Sequence, residues 1–418
     1  MKKLMKITPF HALLFVASVF GLDSSTLAGG QSQAAAPGVV SGIPRPNPTG
    51  SNPKPEDASS AILAAFEKYE VVGMSAAHGN KDLDDFILDL VRNPGFPSKV
   101  NDIAVECGNS LYQPVLDRYI AGDEVPLSDV RLVWRNTTQT MCGMSGFYAD
   151  LFPLVRRINQ KLPREKKLRV LACDPPIDWS KVQNQKDFRV KDRDANIASV
   201  MEEEVLSKHR KALMLFGTYH LFRAGNPAGR LSSAVEQYEK DYPGVTLVIA
   251  DHEGFCNWTA VSKYNEEFEA RLTSWPVPSL VQQMKGTWLA DLLDMPYSAG
   301  AFYFKVKEGP SGKQTQLAPV VLKGFSKMVD AYLYLGPRDL RLSEAMPAEI
   351  SMDKDYIAEL QRRATLMEED PSAILKVDSN PFLYDPDFLQ KAIQDICKSH
   401  PEAPCVILPE VQVSDIHH

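Results

Sequence analysis

KALMLFGTYH, residues Lys211–His220, decides the fold. Five apolar side chains in a row, Ala212 to Phe216, are bounded by Arg210-Lys211 before and by Gly217 after. So short a run without polar alternation is what a strand buried on both faces requires, and that is the mark of a parallel sheet. The strand read from this stretch ends in His220. Working outward, DANIASVMEEEVLSKHR (Asp194–Arg210) and LSSAVEQYEKDYP (Leu231–Pro243) have helical spacing on either side.

The same alternation extends in both directions. Upstream, YEVVGMSA (Tyr69–Ala76), VNDIAVECG (Val100–Gly108) and LRVLACDPP (Leu168–Pro176) read as strands. ASSAILAAFEKY (Ala58–Tyr69), NKDLDDFILDLVRN (Asn80–Asn93) and SGFYADLFPLVRRINQKL (Ser145–Leu162) read as helices, with a kink expected at Pro153. Downstream, VTLVIADHEG (Val245–Gly254) is a fifth strand. VDAYLYLGPRDL (Val329–Leu340) is a further strand and turn that would close the domain, and SLVQQMKGTWLADLLDM reads as an amphipathic helix. Trp275, Trp288, Tyr297, Phe302, Tyr303 and Phe304 add aromatic density, read as core or as a substrate-facing wall. The expected fold is α/β, a mainly parallel sheet covered by helices on both faces, with a C-terminal helical extension. The expected division is 58–345 for the domain and 346–418 for the extension, whose helical patterns are DYIAELQRRATLMEED and DPDFLQKAIQDICKSH.

The N-terminus reads differently. Lys2, Lys3 and Lys6 precede an apolar stretch, Phe10–Leu22, and small residues follow at Thr26-Leu27-Ala28. This is the pattern of a secretory signal peptide over residues 1–28, too short for a bilayer span, so a secreted or periplasmic protein without an integral span after cleavage is expected. Residues 29–57 are rich in Gly, Pro, Ser and Asn and read as a disordered tether.

The 418 residues are 44% apolar and 24% charged, an ordinary globular composition, and the net charge is −7. That balance argues against nucleic acid or an anionic membrane surface as the main partner; the expected partner is a small-molecule substrate or ligand. The six cysteines, Cys107, Cys142, Cys173, Cys256, Cys397 and Cys405, fit an oxidising compartment. Cys397 and Cys405 bracket a short polar loop and are the expected pair. Cys107 and Cys173 lie in strands, as bridges or as small buried hydrophobes.

Each of the five strands ends in an ionisable group: His78, Glu106, Asp174, His220, and the Asp251-His252-Glu253 group. In parallel α/β sheets ligands bind outside the carboxyl ends of the strands, so these side chains are brought to one edge by topology. A histidine and a glutamate there suit general-base activation of water: His78 would be the base, Glu106 its orienting acid, and His220 a donor to the oxyanion or leaving group. Asp174 is a further catalytic candidate that would equally serve as a turn cap. Arg193 is read as an anion-binding residue, and His252 and Glu253 as substrate-binding residues or as a solvated loop. No GxSxG, HExxH, CxxC, CxxCH, GxGxxG or P-loop pattern occurs. No metal site is assigned, although two histidines and a carboxylate would suit a divalent metal, and a histidine would suit haem. His417 and His418 read as a solvated tail.

These residues also carry a family resemblance. VVGMSAAHGNKDLDDF (Val71–Phe86) resembles the Gly-Glu-x-x-His-Gly element of the erythromycin esterase-like proteins, and Ile103-Ala104-Val105-Glu106 falls where that group has a second acidic residue. KDRDANIASVM (Lys191–Met201) is similar to the Arg-Asp-x-x-Met-Ala helix start shared with the ChaN-like haem-binding proteins. FGTYHLFRAGNPAGRL resembles the Gly-x-x-His element of that branch, in a grouping that also holds the Tiki and TraB proteins. The resemblance spans residues 62–255 and implies a hydrolase acting on an ester or amide, or a haem- or small-ligand-binding uptake protein without catalysis. Ser75 stands where the family has its glutamate, which weakens a transfer of macrolide esterase activity.

Overall fold

The computed structural model describes residues 48–76, 79–188, 192–223, 232–252, 268–294, 303–307, 316–320, 325–337, 346–367 and 371. The signal-like segment, most of the expected tether, His78, Glu253, Cys256, Cys397, Cys405, His417 and His418 lie outside the described residues.

The strands are β1 (Glu56–Asp57), β2 (Val71–Ser75), β3 (Asp102–Asn109), β4 (Arg169–Asp174), β5 (Ala212–Phe216), β6 (Thr246–Asp251), β7 (Ser279–Val281), β8 (Tyr303–Lys307), β9 (Gln316–Val320) and β10 (Ala331–Tyr334). Eight form one sheet in the order β1-β7-β10-β6-β2-β5-β3-β4, and β8 and β9 pair separately. From β10 to β4 every pairing is parallel, while β7 runs antiparallel to both β10 and β1. The mainly parallel α/β architecture read from the sequence is present.

The strand order dictates the layers. The chain steps one way from β2 to β3 and on to β4, then the opposite way to β5 and to β6. Right-handed crossovers therefore place the intervening helices on opposite faces. Helices Lys81–Arg92, Gln113–Ala121, Leu127–Arg135 and Phe147–Asn159 pack with Val72, Met74, Ile103, Val105, Leu213 and Leu215. Helices Arg193–Glu204 and Ala234–Tyr238 pack on the other side with Val71, Ala104, Met214, Phe216 and Val248. The alternation is the period-2 pleat. It puts Glu106, two residues beyond Ala104, on the face covered by Arg193–Glu204. Each such aliphatic side chain, buried on both sides of the sheet, contributes about 1.5–3 kcal/mol.

Two expectations are corrected. The tether does not reach residue 57. Thr49 and Gly50 amides bond Asp291 Oδ2 at 3.0 and 2.9 Å, Ser51 bridges to Thr287, and β1 pairs with β7. The stretch from Ser279 is not one helix. Ser279–Val281 is a strand, Gly286 turns the chain at φ 78°, and helix begins only at Trp288, capped by Thr287. The strand expected in Val329–Leu340 is present as β10, with β7 and β1 beyond it in the sheet.

Beyond residue 346 the short helix Ala348–Ser351 is followed by helix Lys354–Leu366, which packs on the domain. Arg363 donates to Arg135 O at 2.7 Å and Asn136 Oδ1 at 2.8 Å, and its guanidinium lies 4.9 Å from the Trp179 ring centre. Tyr356 Oη donates to Arg135 O at 2.9 Å. No helix among the described residues is long and apolar enough to cross a membrane.

Candidate functional site

At the carboxyl edge, β3, β4 and β5 lie side by side and deliver Glu106, Asp174 and the turn Thr218–His220 to one place. The chain between β4 and β5 supplies the fourth part. Asp192 caps helix Arg193–Glu204 by accepting from Ala195 N–H at 3.0 Å, so the first two helical residues, Arg193 and Asp194, face the edge.

The guanidinium of Arg193 joins the strands. Its Nε donates to Asp174 Oδ1 at 3.0 Å, Nη2 to Glu106 Oε1 at 3.2 Å, and Nη1 lies 3.5 Å from His220 Nε2. Glu106 also accepts from Gly217 N–H at 2.6 Å and lies 3.4 Å from His220 Nε2. The other ring nitrogen, Nδ1, lies 2.7 Å from Asp194 Oδ1. Asp174 is fully buried and accepts from the Thr138 backbone N–H at 2.5 Å and hydroxyl at 2.7 Å.

These contacts set the charges. Burial works against a charged His220, yet Glu106 beside Nε2 and Asp194 on Nδ1 outweigh it and hold its pKa up at about 9. His220 is therefore an imidazolium near neutral pH, a donor at both nitrogens. Burial pushes the Asp174 carboxyl up, against the opposing pull of Arg193 and Thr138. For Arg193, burial disfavours the charge, but Asp174 and Glu106 more than compensate and raise its pKa further.

Two neighbouring features hold the edge in shape. Asn109, at the end of β3, donates to Asn136 O and Ile177 O at 2.7 Å each and accepts from Leu111 and Ile177 N–H, tying three loops together. Cys107, next to Glu106, is disulfide-bonded to Cys142 in the turn Thr140–Met144. Cys173 is free and buried, and burial raises its thiol pKa, so it is an inert core side chain.

Of the residues expected from sequence, Glu106, Asp174, His220 and Arg193 come together. Arg193 does so as a tie between carboxylates rather than as an open fork for a substrate anion, because its donors already face Asp174, Glu106 and His220. His252 is elsewhere. It is fully buried at the end of β6, with Nδ1 2.6 Å from Tyr332 Oη and Nε2 2.7 Å from Glu269 Oε1, and it stacks on Phe268. The solvated-loop reading of His252 is thus replaced by a core one. Trp275 and Trp288 pack in the same aromatic group. Ser75, at the end of β2, accepts from Thr218 Oγ1 at 3.1 Å, which sets β2's exit beside the His220 turn.

Sequence reasoning passed over Asp194 and Thr138. Asp194 was visible in the Arg-Asp pair at a helix start, where an acidic residue reads simply as a complement to the helix dipole. Thr138 carried no signal. Among the described residues no group of three or more His, Cys, Asp or Glu is placed to hold a metal ion. His220 does not suit a haem iron or metal either, since both its nitrogens face hydrogen-bonding side chains.

No protein-family model matches the chain, and no curated protein matches it. Similar solved structures include a Bacillus cereus protein at 10% identity and TM-score 0.45, aligned over 71% of this chain and 97% of that one. An erythromycin esterase, EreC, in its open conformation aligns at 10% identity and TM-score 0.44, over 69% and 94%. ChaN of Campylobacter jejuni, with cofacially bound haem, aligns at 14% identity and TM-score 0.27, over 47% and 87%.

Proposed function

We propose that the chain is an exported hydrolase, acting on an ester or amide at the carboxyl edge of β2, β3 and β5. The observation that carries this reading is the buried set of Glu106, His220, Arg193 and Asp194, in which a carboxylate and an imidazolium share one hydrogen-bonding centre. In acyl transfer the tetrahedral intermediate builds negative charge on oxygen, and a leaving group then needs a proton. An imidazolium with a pKa of about 9 supplies both, as a fixed positive charge and as an acid.

Such an ionised ring cannot take a proton from water at neutral pH, so the base must be a second group. In this reading His78, three residues beyond Ser75 in sequence, is that base. Arg193, itself held by Asp174, keeps Glu106 in place. Export is supported by the signal-like N-terminus and fits the Cys107–Cys142 disulfide.

The test is a panel of p-nitrophenyl esters and anilides of graded acyl size, with His78→Ala as control. Turnover above buffer by the wild type, abolished in the variant with its far-UV circular dichroism intact, is the expected result. Undiminished turnover in His78→Ala would remove His78 as base. A hemin titration on the same sample addresses ligand uptake. A saturable Soret shift without any turnover would replace hydrolysis by haem binding.

A further inference from the structure

We infer that Asp194 and Arg193 are positioning residues that make Nε2 of His220, and never Nδ1, the atom that gives up and takes back a proton. The inference deepens the hydrolytic reading, and its consequence for turnover rests on that reading.

The geometry is specific at both nitrogens. Asp194 Oδ1 lies 2.7 Å from Nδ1 and also accepts the Ala234 backbone N–H at 2.9 Å. One oxygen thus joins the start of helix Arg193–Glu204, the start of helix Ala234–Tyr238 and the imidazole. An ionised carboxylate only accepts, so Nδ1 keeps its hydrogen whether the ring is charged or neutral. The carboxylate also sits in the first turn of helix Arg193–Glu204.

Nε2 lies between two groups of opposite character at nearly equal distance, Glu106 Oε1 at 3.4 Å and Arg193 Nη1 at 3.5 Å. The charged ring donates from Nε2 towards Glu106. When the proton leaves, the N–H bond breaks and its electron pair stays on Nε2. The bond from the acyl carbon to the departing oxygen or nitrogen breaks, its electron pair takes the proton as a new O–H or N–H bond, and the carbonyl re-forms. The exposed lone pair then accepts from Arg193 Nη1, a group that only donates and does not titrate. Nε2 regains a proton from water after the products leave. Each protonation state of Nε2 therefore has a partner already in place, so the ring need not rotate during the cycle. Among the described residues, the charged groups at His220 are Glu106 from β3 and Arg193 and Asp194 from the helix. Asp174 from β4 acts through Arg193.

The experiment is a two-bond 1H–15N correlation of the full chain with 15N-labelled histidine ring nitrogens, titrated from pH 6 to 10. The His220 signal is identified by its loss in His220→Gln. The expected result is a doubly protonated ring at pH 7 and, above its midpoint, a neutral ring carrying its hydrogen on Nδ1. Asp194→Asn is expected to lower that midpoint by at least one pH unit, a tenfold loss of proton affinity. A neutral ring with its hydrogen on Nε2 would overturn the inference, as would an unmoved midpoint in Asp194→Asn. The tautomer is read on the wild type, so the result stands even if the variant misfolds. A silent ester panel beside the expected tautomer overturns the hydrolytic reading alone. Turnover beside the opposite tautomer overturns the positioning role alone.

Discussion

His220 should make the fold lose stability as pH rises from 6 to 9.5, and the size of the loss follows from its surroundings. The ring has an ordinary pKa of 6.5 when exposed and about 9 when held between Glu106 and Asp194. The folded value lies above the unfolded one. The contribution is therefore fully present below pH 6.5 and is lost as pH rises through about 9. Roughly two and a half units at 1.36 kcal/mol each give about 3 kcal/mol across that window. The side chain is almost wholly buried, so solvent screening does not dilute the effect. The assay is urea unfolding of the wild type and of His220→Gln at half-unit steps of pH. The variant starts from a lower stability, because it leaves Asp194 without the cation on its Oδ1 and Glu106 with Arg193 alone. Its curve should nevertheless be flatter by about 3 kcal/mol between pH 6 and 9.5. Two curves that stay parallel would refute a charged His220, and with it the proton-donor role.

Three further outcomes test the frame around the cluster. A methyl on Gly217 would stand 3.2 Å from Glu106 Oε2, so Gly217→Ala should lower kcat/KM at least tenfold while costing about 1–2 kcal/mol or less; unchanged turnover would show that Glu106 has slack. Cys142→Ser opens a link across 35 residues, and loss of about 4 kcal/mol in a denaturant titration is expected; an unchanged midpoint would mean that the bridge restrains nothing. Asn109→Ala leaves the Asn136 and Ile177 carbonyls without their donor, and a loss of about 2–4 kcal/mol by thermal unfolding is expected; a change within experimental scatter would show that water replaces the amide.

The parts of the fold that were legible are those in which a side chain's neighbours repeat. β2 to β6 are short, continuous apolar runs because both faces of the sheet are covered. The two helical layers announce themselves by their 3.6-residue stripes. Glu106 and His220 were legible because a charged residue at the end of such a run has nowhere to go except the carboxyl edge. The misreadings have local causes. Leu280 and Val281 match a helical stripe that continues into Trp288-Leu289. Only Gly286, in a left-handed turn, separates strand from helix, and a single glycine is a weak stop signal. His252 looked like a loop residue because its partners, Tyr332, Phe268 and Glu269, arrive from distant sequence. The Cys107–Cys142 pairing was equally hidden, as Cys142 sits in an irregular turn whose position depends on the packing of helices Leu127–Arg135 and Phe147–Asn159. Asp194 was hidden by an ordinary alternative, since acidic residues in the first turn of a helix need no site to explain them.

The central claim is that His220, held beside Glu106, gives a proton to the leaving group at the edge of the sheet. Its most direct test is the pH profile of kcat/KM, on whichever ester of the panel turns over fastest, for the wild type and His220→Gln. A general acid of this kind is worth about 10²–10⁴-fold. The wild type should lose activity with an alkaline limb near pH 9, and the variant should be slower by that factor and lack the limb. An identical limb in His220→Gln, or a rate within a factor of about three of the wild type, would contradict it.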